Sequence, residues 1–242
     1  MKHFKLRTDL TIRHEGRTLY RIEATKSFNS IRAGALGGYI EKEENLAGSA
    51  WVYGNAKVYG NAQVFGNAQV YGDARVYGNA LVYENAWVYE NAWVYGDARV
   101  SGNALVYGNA QVYGNACVYG DARVYGKALV YGCVLVCGNA QVSENAQVCG
   151  NARVYGNATI TMKMSINTAN CYINIIGTKH INTISLTGIV VGCKNYENLK
   201  DFENRYKQDG KDNCYTDFEL EYLYISIKNG LKLIKKLNKK EK

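Results

Sequence analysis

Aliphatic residues recur at every sixth position through the middle of the chain. From Val52 to Ile160 there are 19 consecutive aliphatic residues at this spacing, and no insertion separates any two of them. Ala stands two positions before each one, except where Val134 replaces it. The consensus Val-Tyr-Gly-Asn-Ala-x follows neither the 3.6-residue period of a helix nor the two-residue period of a long strand. It therefore predicts a short strand and a bend, repeated without interruption.

The six positions of the repeat have distinct predicted roles. The residues x-Val-Tyr form the strand, with Val pointing inward and its two neighbours outward. Gly-Asn forms the bend, since both residue types tolerate left-handed backbone angles. Ala lies in the tight corner that follows. Three such sides close a triangular coil of 18 residues, and successive coils pair along the axis at a spacing of about 4.8 Å. A parallel β-helix over residues 45–162 is predicted.

The repeat resembles the hexapeptide-repeat family, whose fold is the left-handed parallel β-helix. The periodicity itself predicts a β-helix, and the left hand is implied only by this resemblance. Two shorter segments, Gly16–Ile22 and Leu36–Glu41, resemble the N-terminal part of uncharacterised phage and bacterial hexapeptide-repeat proteins. Members of the family commonly form trimers along the coil axis, so the resemblance also implies a homo-oligomer.

Residues 1–44 are predicted to form an N-terminal β cap. Thr11–Arg13 and Thr18–Ile22 have the composition of short strands, and Glu15-Gly16 between them has the composition of a turn. A cap is needed because a bare terminal coil would expose unpaired strand edges.

Residues 163–242 are predicted to form a small α/β region. Residues 165–192 are rich in Ile, Thr and Asn, which favours strands. Tyr196–Gln208 has helical spacing of Leu199, Phe202 and Tyr206, with Gly210 as its end. A second helix is predicted over residues 217–238, where Thr216 and Glu219 form a possible capping box. The whole chain is thus mainly β: a left-handed parallel β-helix of about six 18-residue coils, an N-terminal β cap, and a C-terminal α/β region ending in a helix.

Positive charge is concentrated at the C-terminal end of the chain. The net charge is +8, but residues 49–162 contain 6 basic and 6 acidic side chains. A cluster of lysines near the end forms a basic tail: Lys232, Lys235, Lys236, Lys239 and Lys240. One interpretation is a solvated helix end, where Lys also complements the helix dipole. The other is a contact with nucleic acid or another anionic ligand.

The expected location is the cytoplasm. No apolar run is long enough to span a membrane, and the charged segment MKHFKLRTDL lacks the apolar stretch of a signal peptide. The seven cysteines show neither a CxxC pair nor the spacing of a zinc site. We expect free thiols in a reducing compartment, and neither a metal nor a cofactor.

The residues of the repeat show no catalytic constellation. Hexapeptide-repeat acyltransferases rely on a His base and on loops that leave the coil. Here the only histidines are His3, His14 and His180, which lie outside the coils, and the hexads contain no inserted loop. General-base catalysis requires a group that titrates near neutral pH in a cleft. An acyltransferase-like enzyme is therefore kept only as an alternative.

Tyrosines are predicted to form rows along the rod, because residues 18 positions apart share a face. The first face carries Tyr53, Tyr71, Tyr89, Tyr107 and Tyr125 beside Trp51, Gln69, Trp87, Leu105 and Arg123. The second face carries Tyr59, Tyr77, Tyr95, Tyr113 and Tyr131 beside Lys57, Arg75, Trp93, Gln111 and Leu129. The third face is interrupted and reads Phe65, Tyr83, Ser101, Tyr119, Cys137 and Tyr155.

Two interpretations of these rows remain open. The tyrosines stabilise the sheets through same-face pairing, or they form an aromatic contact surface of the kind favoured at interfaces. For the second case the predicted binding surface lies on the first face: Trp51, Tyr53, Tyr71, Trp87, Tyr89, Tyr107 and Tyr125. The predicted function is a non-enzymatic scaffold or binding module that forms oligomers. The alternatives are an acyltransferase-like enzyme and a nucleic-acid or anionic-ligand binder that uses the basic tail.

Overall fold

A computed structural model provides the structure of the chain. It describes residues 2–150, 152–156, 159–160, 164–167, 172–175, 182–185, 189–191, 194–196, 199–212, 224–225 and 227–232. The fold is mainly β: a β-solenoid of about six coils of 18 residues, preceded by a small antiparallel sheet and followed by further strands and helical residues. The prediction of a mainly β chain built around a solenoid of about six 18-residue coils is therefore confirmed.

The N-terminal cap is an antiparallel sheet of three strands, β1 (Phe4–His14), β2 (Arg17–Ala24) and β3 (Leu36–Ile40). The turn between β1 and β2 has φ of 48° at Glu15 and 77° at Gly16. Two positive φ angles are typical of the tight type I′ hairpin turn, which matches the right-handed twist of the strands. The predicted turn is therefore confirmed, and its strands are longer than the sequence indicated.

Each solenoid strand contains the variable residue and the aliphatic residue of one hexad. Most have two residues, so the prediction of a three-residue strand that includes Tyr was wrong. A 3-10 turn (Glu43–Asn45) precedes them, and their bounds are β4 (Trp51–Val52), β5 (Lys57–Val58), β6 (Gln63–Val64), β7 (Gln69–Val70), β8 (Arg75–Val76), β9 (Leu81–Val82), β10 (Trp87–Val88), β11 (Trp93–Val94), β12 (Arg99–Val100), β13 (Leu105–Val106), β14 (Gln111–Val112), β15 (Cys117–Val118), β16 (Arg123–Val124), β17 (Leu129–Val130), β18 (Leu135–Val136), β19 (Gln141–Val142), β20 (Gln147–Cys149), β21 (Arg153–Val154) and β22 (Thr159–Ile160).

Strands and helical residues follow the solenoid. β23 (Met164–Asn167) pairs in parallel with β20, so coil pairing continues slightly beyond residue 162. An antiparallel series then follows: β24 (Tyr172–Ile175), β25 (Asn182–Ser185), β26 (Ile189–Val191) and β27 (Lys194–Tyr196). These strands confirm the predicted β character of residues 165–192 in the part of that range that the structure describes.

Helix α1 (Leu199–Asp212) confirms the first predicted helix but neither its start nor its end, since Tyr196 lies in β27. The helix continues through Gly210, so the expected stop there was wrong. Isolated glycine lowers helix stability by about 1 kcal/mol without excluding a helix. Residues 224–225 and 227–232 are helical, within the second predicted helix. Thr216, Glu219 and residues 233–242 lie outside the described residues.

Three sheets form the sides of the solenoid. The first face consists of β4, β7, β10, β13, β16, β19 and β22, and the third face of β6, β9, β12, β15, β18 and β21. The second face belongs to a 14-stranded sheet, which begins with the cap strands and continues into β23–β27. All neighbouring strands of the coils are parallel and 18 residues apart; Trp87, for example, lies between Gln69 and Leu105.

Backbone hydrogen bonds join each coil to the next. In most hexads, the N–H groups of the variable residue, Tyr and Asn donate to the carbonyls of Ala, Val and Gly, respectively, in the next coil. The N–H groups of Trp87, Tyr89 and Asn91, for example, make these hydrogen bonds at 2.9–3.0 Å. The Val and Ala side chains between them are fully buried. Each hexad therefore satisfies its backbone while adding two apolar side chains to a continuous core.

Only one of the two bend positions has the left-handed conformation. The Gly position has φ of 60–81° in the hexads that contain glycine. Glu84, Glu90 and Glu144 occupy this position with φ of 60°, 59° and 56°. The repeat Asn residues that the structure describes are not among the positive-φ residues, so the bend uses the tolerance for left-handed angles at the Gly position alone.

The aliphatic register begins two hexads earlier than the consensus showed. Ile40 and Leu46 are buried and pair in parallel with Val58 and Val64. Asn45 lies between them with its side chain fully buried. Its Nδ2 donates to the carbonyls of Gly60 and Ala62, at 3.1 and 2.8 Å, and its Oδ1 accepts from the Lys42 N–H. The Asn45 amide thus satisfies acceptors of the first full coil that have no strand above them.

Replacing Asn45 with Ala should destabilise the protein by about 1–3 kcal/mol, because buried carbonyls would lose their donors. Asn45→Asp should destabilise it further, since a carboxylate would face two carbonyl oxygens. Unfolding by urea provides the measurement. Asn109→Ala, at an exposed bend position, is the control and should change the free energy of unfolding by less than about 0.5 kcal/mol. Equal effects at the two positions would contradict the role of Asn45.

Gly102→Ala should destabilise the protein more than Gly54→Ala. Both positions have positive φ, and a side chain there costs about 1–3 kcal/mol. A Cβ on Gly102 would also lie 2.8 Å from the backbone nitrogen of Gly120, whereas a Cβ on Gly54 would meet nothing closer than 3.7 Å. Urea unfolding of the two variants measures the difference. Equal free energies of unfolding for the two variants would contradict the prediction, because they would show that the coils can move apart at Gly102 to admit a Cβ.

Candidate functional site

Stacked tyrosines run along the first face of the solenoid. The ring centroids of Tyr71, Tyr89, Tyr107 and Tyr125 are 4.8, 4.8 and 5.0 Å apart in sequence, with interplanar angles of 2–4°. Because the spacing of hydrogen-bonded strands is about 4.8 Å, the backbone places each ring directly over the previous one. The ring faces cover one another, so the outward side of this row presents ring edges and hydroxyl groups.

Trp87 is the most exposed large apolar side chain on the first face, at 41%. It lies in the row of variable residues, and its ring meets Tyr71 nearly at a right angle, with 6.1 Å between centroids. Leu105 and Arg123 follow it at intervals of one coil. An indole, an aliphatic side chain and a guanidinium therefore lie in line beside the tyrosine row.

Trp51 does not belong to this outer surface. The sequence predicted it there, but its side chain is only 1% exposed. The rings of Phe28 and His3 cover it, at centroid distances of 5.5 and 6.0 Å. His3 is itself buried, with Nε2 2.9 Å from the Ala50 carbonyl oxygen. Trp51 is therefore a core residue at the junction of cap and solenoid.

Tyr53 marks the N-terminal limit of the stacked row. Its ring is turned by 84° relative to that of Tyr71 and contacts Trp51 edge-on. Of the seven residues predicted for the binding surface, the structure therefore brings five together in one continuous outer strip: Tyr71, Trp87, Tyr89, Tyr107 and Tyr125.

Charged side chains flank this strip. Glu90 follows Tyr89 at the corner and is exposed, and Arg123 and Lys127 lie on either side of Tyr125 and are exposed as well. The pKa of Tyr89 is raised to about 12, mainly by burial and further by Tyr107, Tyr71 and Glu90, while Arg123 opposes the increase. These effects place an acidic and a basic group within electrostatic range of the same tyrosines.

The second face has a complete stack that the cap partly covers. Its tyrosines, from Tyr59 to Tyr131, stack at 4.8–5.0 Å. At the N-terminal end, the Tyr59 hydroxyl donates to Glu15 Oε2 at 3.2 Å, and the His14 ring lies 5.3 Å from the Tyr59 ring. The hairpin turn of the cap is thus docked on this face.

The third face is interrupted, as predicted. Phe65 and Tyr83 stack at 5.0 Å, and the small side chain of Ser101 then breaks the row. Tyr119 is 41% exposed, equal to the exposure of Trp87. It provides a matched comparison for experiments on the first face.

The remaining predicted groups form no site among the described residues. Within the part of the chain that the structure describes, no three His, Cys, Asp or Glu residues lie together as metal ligands would. His14 belongs to the cap, and His180 lies outside the described residues. Lys232 is exposed, but the rest of the basic tail, namely Lys235, Lys236, Lys239 and Lys240, is also outside them. None of the described helices is long and apolar enough to cross a membrane.

Comparison with known families supports the solenoid. The family model of the YdcK β-solenoid repeat matches residues 68–84, 74–90, 92–108, 98–114, 110–126, 116–132 and 146–161. Each match covers about one coil, and all matches begin at multiples of six residues from one another, in agreement with the hexad period. The rod is therefore similar to this β-solenoid class. No curated protein matches the chain.

The tyrosine stacks should make the protein sensitive to alkaline pH. Burial raises the pKa of both Tyr89 and Tyr95 to about 12, above the ordinary value of 10. A raised pKa stabilises the folded state below about pH 10, and this contribution is lost as the pH rises through about 12. Urea unfolding at several alkaline pH values, with tyrosinate absorbance, measures both effects. Tyr95→Phe should reduce the alkaline loss; an unchanged pH profile would contradict this assignment.

Proposed function

We propose that the protein is a non-enzymatic scaffold that self-associates through the first face of its solenoid. Rigidity is the first requirement of such a scaffold. The inter-coil hydrogen bonds and the fully buried Val and Ala side chains hold the backbone of every coil in one conformation. The backbone of the first face therefore has a fixed position before any partner arrives.

The exposed Trp87 beside the stacked tyrosines is the observation that carries the proposal. Trp and Tyr are enriched at protein interfaces because they bury a large area and retain a polar group. Here the stacking of Tyr71, Tyr89 and Tyr107 already restricts their rotation. Binding through pre-ordered side chains loses less conformational entropy than binding through free ones. The first face thus combines an aromatic anchor with a low entropic cost.

The other two faces are less suited to this role. On the second face the hairpin turn of the cap occupies the end of the tyrosine row at Tyr59. On the third face Ser101 interrupts the row, and Cys137 replaces a further tyrosine. Among the described residues of the three faces, a continuous strip with a strongly exposed indole is found on the first face alone.

A reducing compartment such as the cytoplasm is the proposed location. Cys117, Cys133 and Cys137 are free thiols, and Cys133 is exposed. Exposed thiols persist where thiol reductants keep them reduced.

Trp87→Lys should weaken self-association by at least about tenfold, since truncating an aromatic anchor at an interface costs about 2 kcal/mol or more. Analytical ultracentrifugation over a range of concentrations gives the dissociation constant, and circular dichroism verifies the fold. Tyr119→Lys, equally exposed on the third face, is the matched control and should associate like the wild type. A monomeric wild-type protein, or equal effects of the two substitutions, would overturn the proposed function.

A further inference from the structure

We infer that the first face binds the same face of a second copy running in the opposite direction, with a two-fold axis passing beside Leu105 and Tyr107. This inference rests on the proposed function and specifies its partner. A two-fold axis that lies in the interface, perpendicular to the rod, reverses the rod direction and keeps each row of one copy opposite the same row of the other.

The row of variable residues has the symmetry that such a pair requires. From β7 to β19 it reads Gln69, Trp87, Leu105, Arg123 and Gln141, at intervals of one coil. Reversed about Leu105, the row places Gln opposite Gln, Leu opposite Leu, and Trp87 opposite Arg123. An arginine over an indole is a favourable cation–π contact. Each dimer would therefore contain two Trp87–Arg123 contacts, one on either side of the axis.

The tyrosine row agrees with the same axis. Tyr107 faces Tyr107, Tyr89 faces Tyr125, and Tyr71 faces the position of Ser143, whose small side chain is buried. Near the centre of the row, tyrosine rings of one copy thus face tyrosine rings of the other. At the end of the row, the ring of Tyr71 faces a small residue.

Charge supports the antiparallel direction. Glu90 and Lys127 lie on the corner that follows the tyrosine row, two coils apart and on opposite sides of the axis. No hydrogen bond or ion pair with another described residue engages the side chain of Glu90, Arg123 or Lys127. In the cap, by contrast, Lys2 and Arg17 both form ion pairs. The antiparallel pair brings Glu90 of each copy to Lys127 of the other.

A parallel assembly would lose this complementarity. The three-fold arrangement that the hexapeptide resemblance implies places equal heights of the rods side by side. Glu90 would then lie level with Glu90, and Lys127 with Lys127, where like charges oppose association. The charges of the first face therefore favour a dimer over a parallel trimer.

Charge reversal in separate chains tests the arrangement. Glu90→Lys and Lys127→Glu should each weaken self-association, because every Glu90–Lys127 contact becomes a pair of like charges. An equimolar mixture of the two variants should associate again, since both contacts in the mixed dimer join Lys to Glu. Analytical ultracentrifugation should show a dissociation constant that is at least about fivefold larger for each single variant. In the mixture the dissociation constant should return towards the wild-type value. Asp97→Lys, at a corner away from the first face, is the control and should leave association unchanged.

A second measurement does not depend on charge. Leu105→Cys should be joined to a second copy by a bifunctional maleimide spanning about 10 Å, the usual separation of packed sheets. Gln69→Cys should not, because its copies would lie four coils, or about 19 Å, apart along the axis. The wild-type protein shows the background from native thiols.

The outcomes separate the two proposals. A wild-type monomer would overturn both. An oligomer that Trp87→Lys disrupts, but whose charge variants fail to complement or whose Leu105→Cys fails to crosslink, would overturn the antiparallel arrangement and leave the first face as the interface. The mass of a trimer would also overturn it.

Discussion

Hydrogen bonding between residues 18 positions apart is the constraint on which the rest of the structure depends. The N–H groups of the variable residue, Tyr and Asn donate to carbonyls of the next coil. This bonding requires each coil to lie in register with its neighbours, and it fixes the axial spacing at the strand-to-strand distance. The buried Val and Ala make that register favourable, since a slip by one residue would expose the apolar set and bury polar side chains.

The same constraint determines the chemistry of the surface. Side chains that are 18 positions apart lie directly above one another, so a substitution in any hexad changes one height of one face. Tyrosine at successive heights therefore becomes a stack, as from Tyr71 to Tyr125. Single replacements such as Trp87, Glu90 and Lys127 become isolated features on a regular background. The order of such features along a row gives the rod a direction that a partner can recognise.

The N-terminal end shows how the repeat is terminated. The cap strands extend the second-face sheet, and the Asn45 amide supplies donors to the first full coil. The cap also covers Trp51 with Phe28 and His3. Capping thus removes an exposed strand edge and part of the aromatic surface together.

The sequence by itself determined the solenoid, its 18-residue coil, its three faces and its rows of tyrosines, because the six-residue period maps directly onto repeated local geometry. It did not reveal the earlier register at Ile40 and Leu46, since Gly38 and Glu44 replace the alanine of the consensus there. Only the tertiary structure decided that Trp51 is buried while Trp87 is exposed. The two tryptophans occupy the same repeat position, and they differ because Phe28 and His3, distant in sequence, pack over one of them.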